Sequence, residues 1–551
     1  MRPIFFVLSF LLGAALYGQG DPTTAGPRKV TSQEYKITGV PLPTVSYPID
    51  VWGTVWYPED MTGGPLPLVL LLHGNHGICR LPGTQTDLGT TIFPPFCPAG
   101  QIQTPNPSGY EYIATRLASH GFIVASINVN AINVRANGGP ERGATVVLEH
   151  FRYWDVWNSA DGAAPFGKLF SGKVNLQNVG LMGHSRGGEG ARAALEFSRQ
   201  AGSPYNIKGI IEIGPVDFGR TSSLTALTTG NPTYNATDTA FSVILPSCDA
   251  DVSDNQGMRV FDRAAATREL SSPTPKSQLY VLGANHNFYN SEGTPEDPGF
   301  SCIDFPIITD RPQQEAIGLV YVMGFMRTHL SGEDFKSLFN GDAPQPASTL
   351  TPVNHSYMES PTQSILIDNY TAQFTPDVNN AGGLNNLGNL KVTRCLGAQC
   401  QLPAPAAWRH DQGLAAARLD WPADGTGTPY YAIHIGDNSG PRDISGYALL
   451  SFRVAAAFDL KNPVTGSQDF SIRLLDASGA VSPRIAVTDY KTIPYPTGYG
   501  FRRSVLRTVR IPLTAFRNVD LRRVVRVDLI FDKNPQGSLF LTEVMFSPSP
   551  R

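Results

Sequence analysis

Between residues 66 and 330, short uninterrupted apolar runs alternate with stretches of helical spacing, and this alternation restricts the fold more than any other feature. Residues 68–72 read LVLLL. A strand solvated on one face alternates apolar and polar residues. A continuous run implies burial on both faces, as in a parallel sheet between two helical layers. Comparable runs occur at 122–127, 178–182, 207–213, 241–245 and 278–282. Helical spacing appears at 110–120, 146–157, 187–199, 257–266 and 313–330. The pattern predicts an α/β unit over residues 36–340, with a doubly wound, mostly parallel sheet. Residues 21–35 are expected to be a loose leader.

The character changes after residue 341. Residues 341–359 are rich in Pro, Ser, Thr and Asn and are expected to be a linker. Residues 360–549 carry short alternating runs instead of helical periodicity. Val525, Val527, Leu529 and Phe531 share one face, with Arg526 and Asp528 on the other. Residues 447–454, 470–475 and 538–546 behave similarly, which predicts an all-β sandwich. Arg502, Arg503, Arg507, Arg510, Arg517, Arg522, Arg523 and Arg526 crowd one stretch and are expected on a solvated strand face. Trp408, Trp421, Tyr430 and Tyr431 suit either a sugar-stacking platform or the core. On this division the sandwich is an accessory module, and a chain cut near Gly341 is expected to fold and keep its chemistry.

The first residues, MRPIFFVLSFLLGAALYGQG, have Arg2 ahead of a short apolar stretch. Gly18 and Gly20 fit a signal-peptidase cut before Asp21, so residues 1–20 are expected to be a signal peptide. The alternative is an uncleaved N-terminal anchor. The signal implies a secreted or periplasmic protein with no stable membrane insertion after cleavage. Six cysteines in an exported chain favour disulfides, and position suggests Cys79–Cys97, Cys248–Cys302 and Cys395–Cys400. No CxxC pair or accompanying histidine cluster points to a metal. A net charge of −3 gives no reason to expect a nucleic-acid partner.

Residues 183–187 read Gly-His-Ser-Arg-Gly, directly after the 178–182 run and before a helix opening with Gly187, Gly188, Gly190 and Ala191. The pentapeptide alone is a weak signal. Placed between a strand and a helix, it describes a tight turn that lifts a serine hydroxyl clear of the sheet. Ser185 is therefore the candidate nucleophile. A hydroxyl needs a base at neutral pH. Of the histidines that follow Ser185, His286 alone sits just past a sheet strand. The acid that orients it is expected after the 241–245 strand, where Asp249 is preferred and Asp251 is the alternative. The backbone N–H groups of Arg186 and of Asn75, in the His73-Gly74-Asn75-His76-Gly77 loop, are candidate oxyanion donors.

With these residues in place, residues 66–300 resemble the α/β-hydrolase superfamily, in the branch containing chlorophyllases, platelet-activating-factor acetylhydrolases and cutinase-like polyester hydrolases. Gly183-His184-Ser185-Arg186-Gly187-Gly188 has the chlorophyllase form, and residues 113–124 resemble a neighbouring segment of those enzymes. The resemblance implies a serine esterase that uses no cofactor or metal and works as a monomer on an ester substrate. A departure is the Pro/Gly-rich insertion at 78–108, expected to overhang the site. The sandwich resembles the galactose-binding-like jelly rolls of secreted hydrolases, through residues 443–447, 507–516 and 537–546. That resemblance implies a polymeric or surface-bound ester. Two alternatives stay open: a peptidase or amidase with the same triad, and a non-catalytic carbohydrate-binding or adhesion protein.

Overall fold

The computed structural model describes residues 20–548, apart from residues 85–96, 134–138, 219–233, 237, 267–273, 275, 294–301, 304–307, 309, 359–362, 372–376, 397–414, 424–425, 437–439, 497 and 500–502. It is mixed α/β, with one large mixed sheet and several antiparallel sheets. The large sheet contains β1 (Val30–Val40), β2 (Ile49–Pro58), β3 (Leu66–Leu72), β4 (Ile123–Ile127), β5 (Val174–His184), β6 (Ile207–Ile213), β7 (Ala240–Pro246), β8 (Lys276–Val281) and β9 (Val353–Met358). Their spatial order is β1-β2-β4-β3-β5-β6-β7-β8-β9. Strands β4 to β8 and β3 pair in parallel, whereas β1, β2 and β9 pair antiparallel.

The apolar run in β3 is explained by its two faces. Leu68, Leu70 and Leu72 enter one core, and Val69 and Leu71 enter the other. The first core is covered by α2 (Pro140–Asn158), α3 (Arg186–Gln200) and α4 (Gly257–Ala266), the second by α1 (Glu111–Ser119) and α5 (Arg311–Ser331). Proline in the first turn of α2 and of α5 starts each helix where its missing N–H costs nothing. Gly332, at φ 72°, stops α5 in the left-handed conformation that favours glycine.

Three features differ from the sequence expectation. Residues 21–35 are not a loose leader: β1 starts at Val30, and Pro22 O accepts a hydrogen bond from Arg327 Nη1 at 2.7 Å. The alternating β1–β2 hairpin went unread because its pattern of buried and exposed residues belongs to a sheet edge, not to the central runs. The expected linker, 341–359, contains β9, which pairs with β8 along six residues. Its Pro/Ser/Thr composition hid a strand whose pairing partner lies about 75 residues earlier in the chain.

The C-terminal region forms two antiparallel sheets enclosing a separate core. One holds Lys391–Leu396, Ala415–Trp421, Gly537–Ser547, Leu449–Ala456 and Arg507–Pro512, with Ile365–Asp368 beside Gly537–Ser547. The other runs Asn385–Gly388, Tyr430–His434, Val524–Ile530, Ser471–Asp476, Ile485–Ala486. Trp421 and Tyr431 are fully buried in this core, Tyr430 is exposed, and Trp408 lies outside the described residues.

The arginine-rich stretch is the largest correction. Arg517, Arg522 and Arg523 are exposed as expected and Arg526 is half-buried, but Arg503, Arg507 and Arg510 are buried between the sandwich and the large sheet, and Arg502 lies outside the described residues. Arg510 makes a two-point contact with Asp342 at 3.1 and 3.2 Å. Thr508 Oγ1 accepts from Tyr357 N–H at 2.7 Å and donates to Tyr357 O at 3.0 Å, tying the sandwich to β9. Arg453 of the sandwich pairs with Asp262 of α4 at 2.9 Å, both wholly buried. The sandwich is therefore packed against the sheet through buried charges, which argues against independent folding of a chain cut at Gly341.

Removing one partner of such a pair leaves the other charged in a dry interface. Arg453→Met, which takes the cation from both Asp262 and the buried Glu543, is expected to cost ~3–5 kcal/mol in urea unfolding. A chain ending at Gly341 should lack a cooperative melt, since it also loses β9. Cooperative unfolding of that truncated chain would falsify the integrated arrangement.

Candidate active site

Ser185 lies at the junction of β5 and α3, with φ 56° and ψ −124°. This left-handed conformation is costly for a residue with a Cβ and persists only under tight packing. The packing is backbone against backbone. A Cβ on Gly183 would lie 2.3 Å from Gly187 O, and one on Gly187 would lie 2.5 Å from Leu72 O. A Cβ on Gly188 would meet Pro215 Cβ at 2.8 Å. Ser185 N–H donates to Ile213 O at 2.9 Å, and Gly188 N–H donates to Ser185 O at 3.0 Å. The glycines flanking Ser185 are thus steric requirements of the turn. Ser185 itself is only 4% exposed.

The histidine and the acid come together as the sequence expected. Asp249 Oδ2 lies 2.8 Å from His286 Nδ1, and both side chains are buried. The other oxygen, Asp249 Oδ1, accepts the N–H groups of Asp251 at 3.0 Å and Val252 at 2.6 Å. This local turn aims Oδ2 at the imidazole. Asp251 is 61% exposed and lies 3.6 Å from His286 Nε2, the opposite ring edge. The structure therefore places Asp249, not Asp251, on Nδ1.

Gly214 links this pair to the strand end that holds Ser185. It follows Ile213, the acceptor for Ser185 N–H, and a Cβ on it would lie 3.1 Å from both Asp249 Oδ2 and His286 Nδ1. The histidine loop is braced from α5, where Gln314 Oε1 accepts Asn285 N–H at 2.9 Å and Gln314 Nε2 donates to Asn285 O at 2.7 Å. Cys248 N–H donates to Ala284 O at 2.9 Å, joining the acid and histidine loops.

Of the two expected oxyanion donors, Arg186 opens α3, where a first-turn N–H has no acceptor within the helix. Its guanidinium lies over the Phe218 ring at 5.9 Å, and burial lowers its pKa against the pull of Asp251 and Glu189. Asn75 is exposed, in a loop that touches the serine: a Cβ on Gly74 would lie 2.5 Å from Ser185 Cβ. Gly74 O is held by Asn133 Nδ2 at 2.9 Å and by His73 Nδ1 at 2.8 Å. His73 Nε2 accepts Val129 N–H at 2.9 Å, so Nδ1 carries the proton. Across a planar trans peptide the Asn75 N–H points opposite to this anchored carbonyl.

Sequence reasoning missed a group of imidazoles. The His76 ring lies 4.9 Å from His184 and 6.5 Å from His286, and His184 lies 4.8 Å from His286. Tyr110 OH shares a 2.9 Å hydrogen bond with His184 Nδ1. Burial pushes the His73 pKa down to about 4, and holds His76 and His184 well below the usual histidine value, helped by neighbouring imidazoles. These rings are neutral near pH 7 and leave the Asp249 carboxylate as the nearest partner for any charge developing on His286. His184 was visible inside the Gly183–Gly187 pentapeptide; only folding brings it against His76.

Another missed feature is a buried ion cluster behind Ser185. Arg192 Nε pairs with Glu212 at 2.7 Å and Arg192 Nη2 donates to Val216 O at 2.7 Å, while Arg263 grips Asp217 at 2.7 and 2.8 Å. Burial holds the Glu212 carboxyl up at about 6 despite Arg192. The cluster anchors the loop after β6 that supports Ser185.

The insertion at 78–108 carries the Cys79–Cys97 disulfide, and Arg80 pairs with Glu292 past His286 at 2.6 Å. Residues 85–96 lie outside the described residues. Cys248 and Cys395 are also disulfide-bonded. Their expected partners, the Cys302 side chain and Cys400, lie outside the described residues.

No family model matches the chain, and no curated protein matches it.

Gly74→Ala must drive the 73–77 loop and Ser185 apart. Overpacking of this kind is expected to cost ~1–3 kcal/mol in denaturant unfolding. An unchanged midpoint would show that the loop does not press on the serine.

Proposed function

We propose that the protein is an exported serine hydrolase of the α/β-hydrolase type that cleaves carboxylic esters through an acyl-enzyme. The observation that carries this reading is the strained Ser185 turn set against the buried His286–Asp249 pair, in the chain order Ser, Asp, His. The small-residue elbow, the parallel sheet beneath it and the Gly74–Ser185 contact support it together.

In this mechanism Ser185 Oγ attacks the ester carbonyl carbon as His286 Nε2 takes the hydroxyl proton. Asp249 holds Nδ1–H and stabilises the imidazolium. The carbonyl oxygen becomes an oxyanion facing the N–H groups of Arg186 and Asn75. Collapse breaks the C–O bond, and His286 returns the proton to the departing alcohol. Water then repeats the sequence on the acyl-Ser185 ester, releasing the acid and restoring the serine. The elbow helps because the nucleophile is held ready before substrate arrives. An apolar, export-type N-terminal stretch and the disulfides support an oxidising compartment. Among the described residues no helix is long and apolar enough to cross a membrane.

A fluorophosphonate probe should label the wild type and leave Ser185→Ala unlabelled. On p-nitrophenyl acetate, Asp249→Asn should lower kcat by roughly 10⁴ through loss of the correct imidazole tautomer. Asp251→Asn should have a far smaller effect. Equal labelling of Ser185→Ala, or a greater loss in Asp251→Asn, would overturn these roles.

A further inference from the structure

Nearly every deeply buried guanidinium described in this chain faces a carboxylate: Arg192 faces Glu212, Arg453 faces Asp262 and Arg510 faces Asp342. Arg503 and Arg507 do not. They are 5% and 6% exposed, and both line a cleft between the large sheet and the sandwich. Arg507 Nη1 donates to Thr492 O at 3.0 Å and Thr492 Oγ1 at 3.1 Å, both neutral acceptors. Arg503 Nη2 donates to another neutral acceptor, Ser253 O. Arg503 Nε and the neighbouring Ser504 Oγ are buried without a hydrogen-bond partner, although Ser504 is 98% buried by its 2% exposure.

Tyr280, Asn354 and Tyr495 are further polar residues of the lining, and among the described residues no Asp or Glu contributes to it. Burial pushes the Arg507 pKa down to about 9 and that of Arg503 in the same direction. Asp254 and Asp249 act on Arg503 only through space, within a field also containing Arg259. Two positive groups lining one cleft, with idle donors and no described carboxylate in the lining, is an arrangement that proteins otherwise avoid.

We propose that this cleft binds a small inorganic anion of chloride size, held by Arg503, Arg507 and Ser504. The space open to the centre of a water-sized sphere is ≈ 20 Å³. That exceeds the ~10–15 Å³ needed for a single small occupant. The donors without a partner are Arg503 Nε and Ser504 Oγ, and Arg507 brings a second guanidinium to the same lining. Arg503 also reaches Ser253 in the loop that carries Asp249, so the anion and that loop share a residue. The site stands whether or not the hydrolase reading does.

The test uses the full-length protein at pH 7.5 and constant ionic strength. Melting temperature is followed as sodium gluconate is replaced by chloride or bromide. A saturable rise with both halides is expected. Ser504→Ala, a small change, should raise the half-saturating concentration by roughly tenfold, as expected for loss of a hydrogen bond to a charged group. Arg507→Met should abolish the halide dependence. Should Arg507→Met fail to fold, a bromide-soaked wild-type crystal decides: an anomalous peak is expected beside Arg503 Nε and Ser504 Oγ. Water density there with no anomalous signal, or identical melting in gluconate and chloride, overturns the proposal.

Discussion

The architecture depends on a place where three stretches of backbone meet with no room for side chains. The end of β3, the β5–α3 turn and the loop after β6 converge on Ser185, and glycine at 74, 183, 187 and 188 makes their approach possible. A Cβ at any of these positions would overlap backbone or a neighbouring Cβ at 2.3–2.8 Å. Close packing replaces the ordinary conformational preference of Ser185 and keeps it at positive φ. The position of α3 follows from the same contact, because Gly190 then meets Gly143 of α2 backbone to backbone.

Buried charge organises the surroundings of that turn. Arg192, Glu212, Asp217 and Arg263 pin the loop that receives Ser185 N–H, and Gly214 in that loop packs against Asp249 and His286. Buried pairs of this kind are weak sources of net stability but strong penalties when broken. They therefore favour one arrangement over nearby alternatives. The same logic extends to the sandwich. Arg453 and Arg510 each cross to a carboxylate of the sheet-bearing part, and Arg503 reaches the loop of Asp249. The strand pair Cys302–Ile303 with Gly498–Tyr499 adds a backbone tie between the segment after His286 and the sandwich. The site loops are thus held from both sides, by α5 and by the C-terminal region.

This arrangement changes the meaning of the second β region. Its aromatic residues Trp421 and Tyr431 pack inside its own core, so they are not available to stack on a sugar. Its Arg453, Arg503 and Arg510 reach across to the sheet-bearing part. Tyr430 stays exposed, and the buried contacts of Arg453 and Arg510 make the region a packed flank of the sheet-bearing part.

The sequence by itself determined the parallel core and the local turn, because both are written in short-range patterns. LVLLL in β3 requires two buried faces, and a glycine-flanked serine between strand and helix admits few conformations. His286 and Asp249 were legible from their places just past strand ends, and Asp249 is the one whose neighbours' N–H groups aim it at Nδ1. What only the tertiary structure decided are contacts between distant segments. A Pro-rich stretch became β9 because β8 offered an unpaired edge. Within the arginine run, Arg510 and Arg503 became buried because a carboxylate and a carbonyl about 170 to 250 residues earlier lay opposite them. Hydrophobic periodicity reports which face of an element is apolar. It carries no information on whether a charged face meets water or a complementary charge, and here that choice is what joins the sandwich to the site.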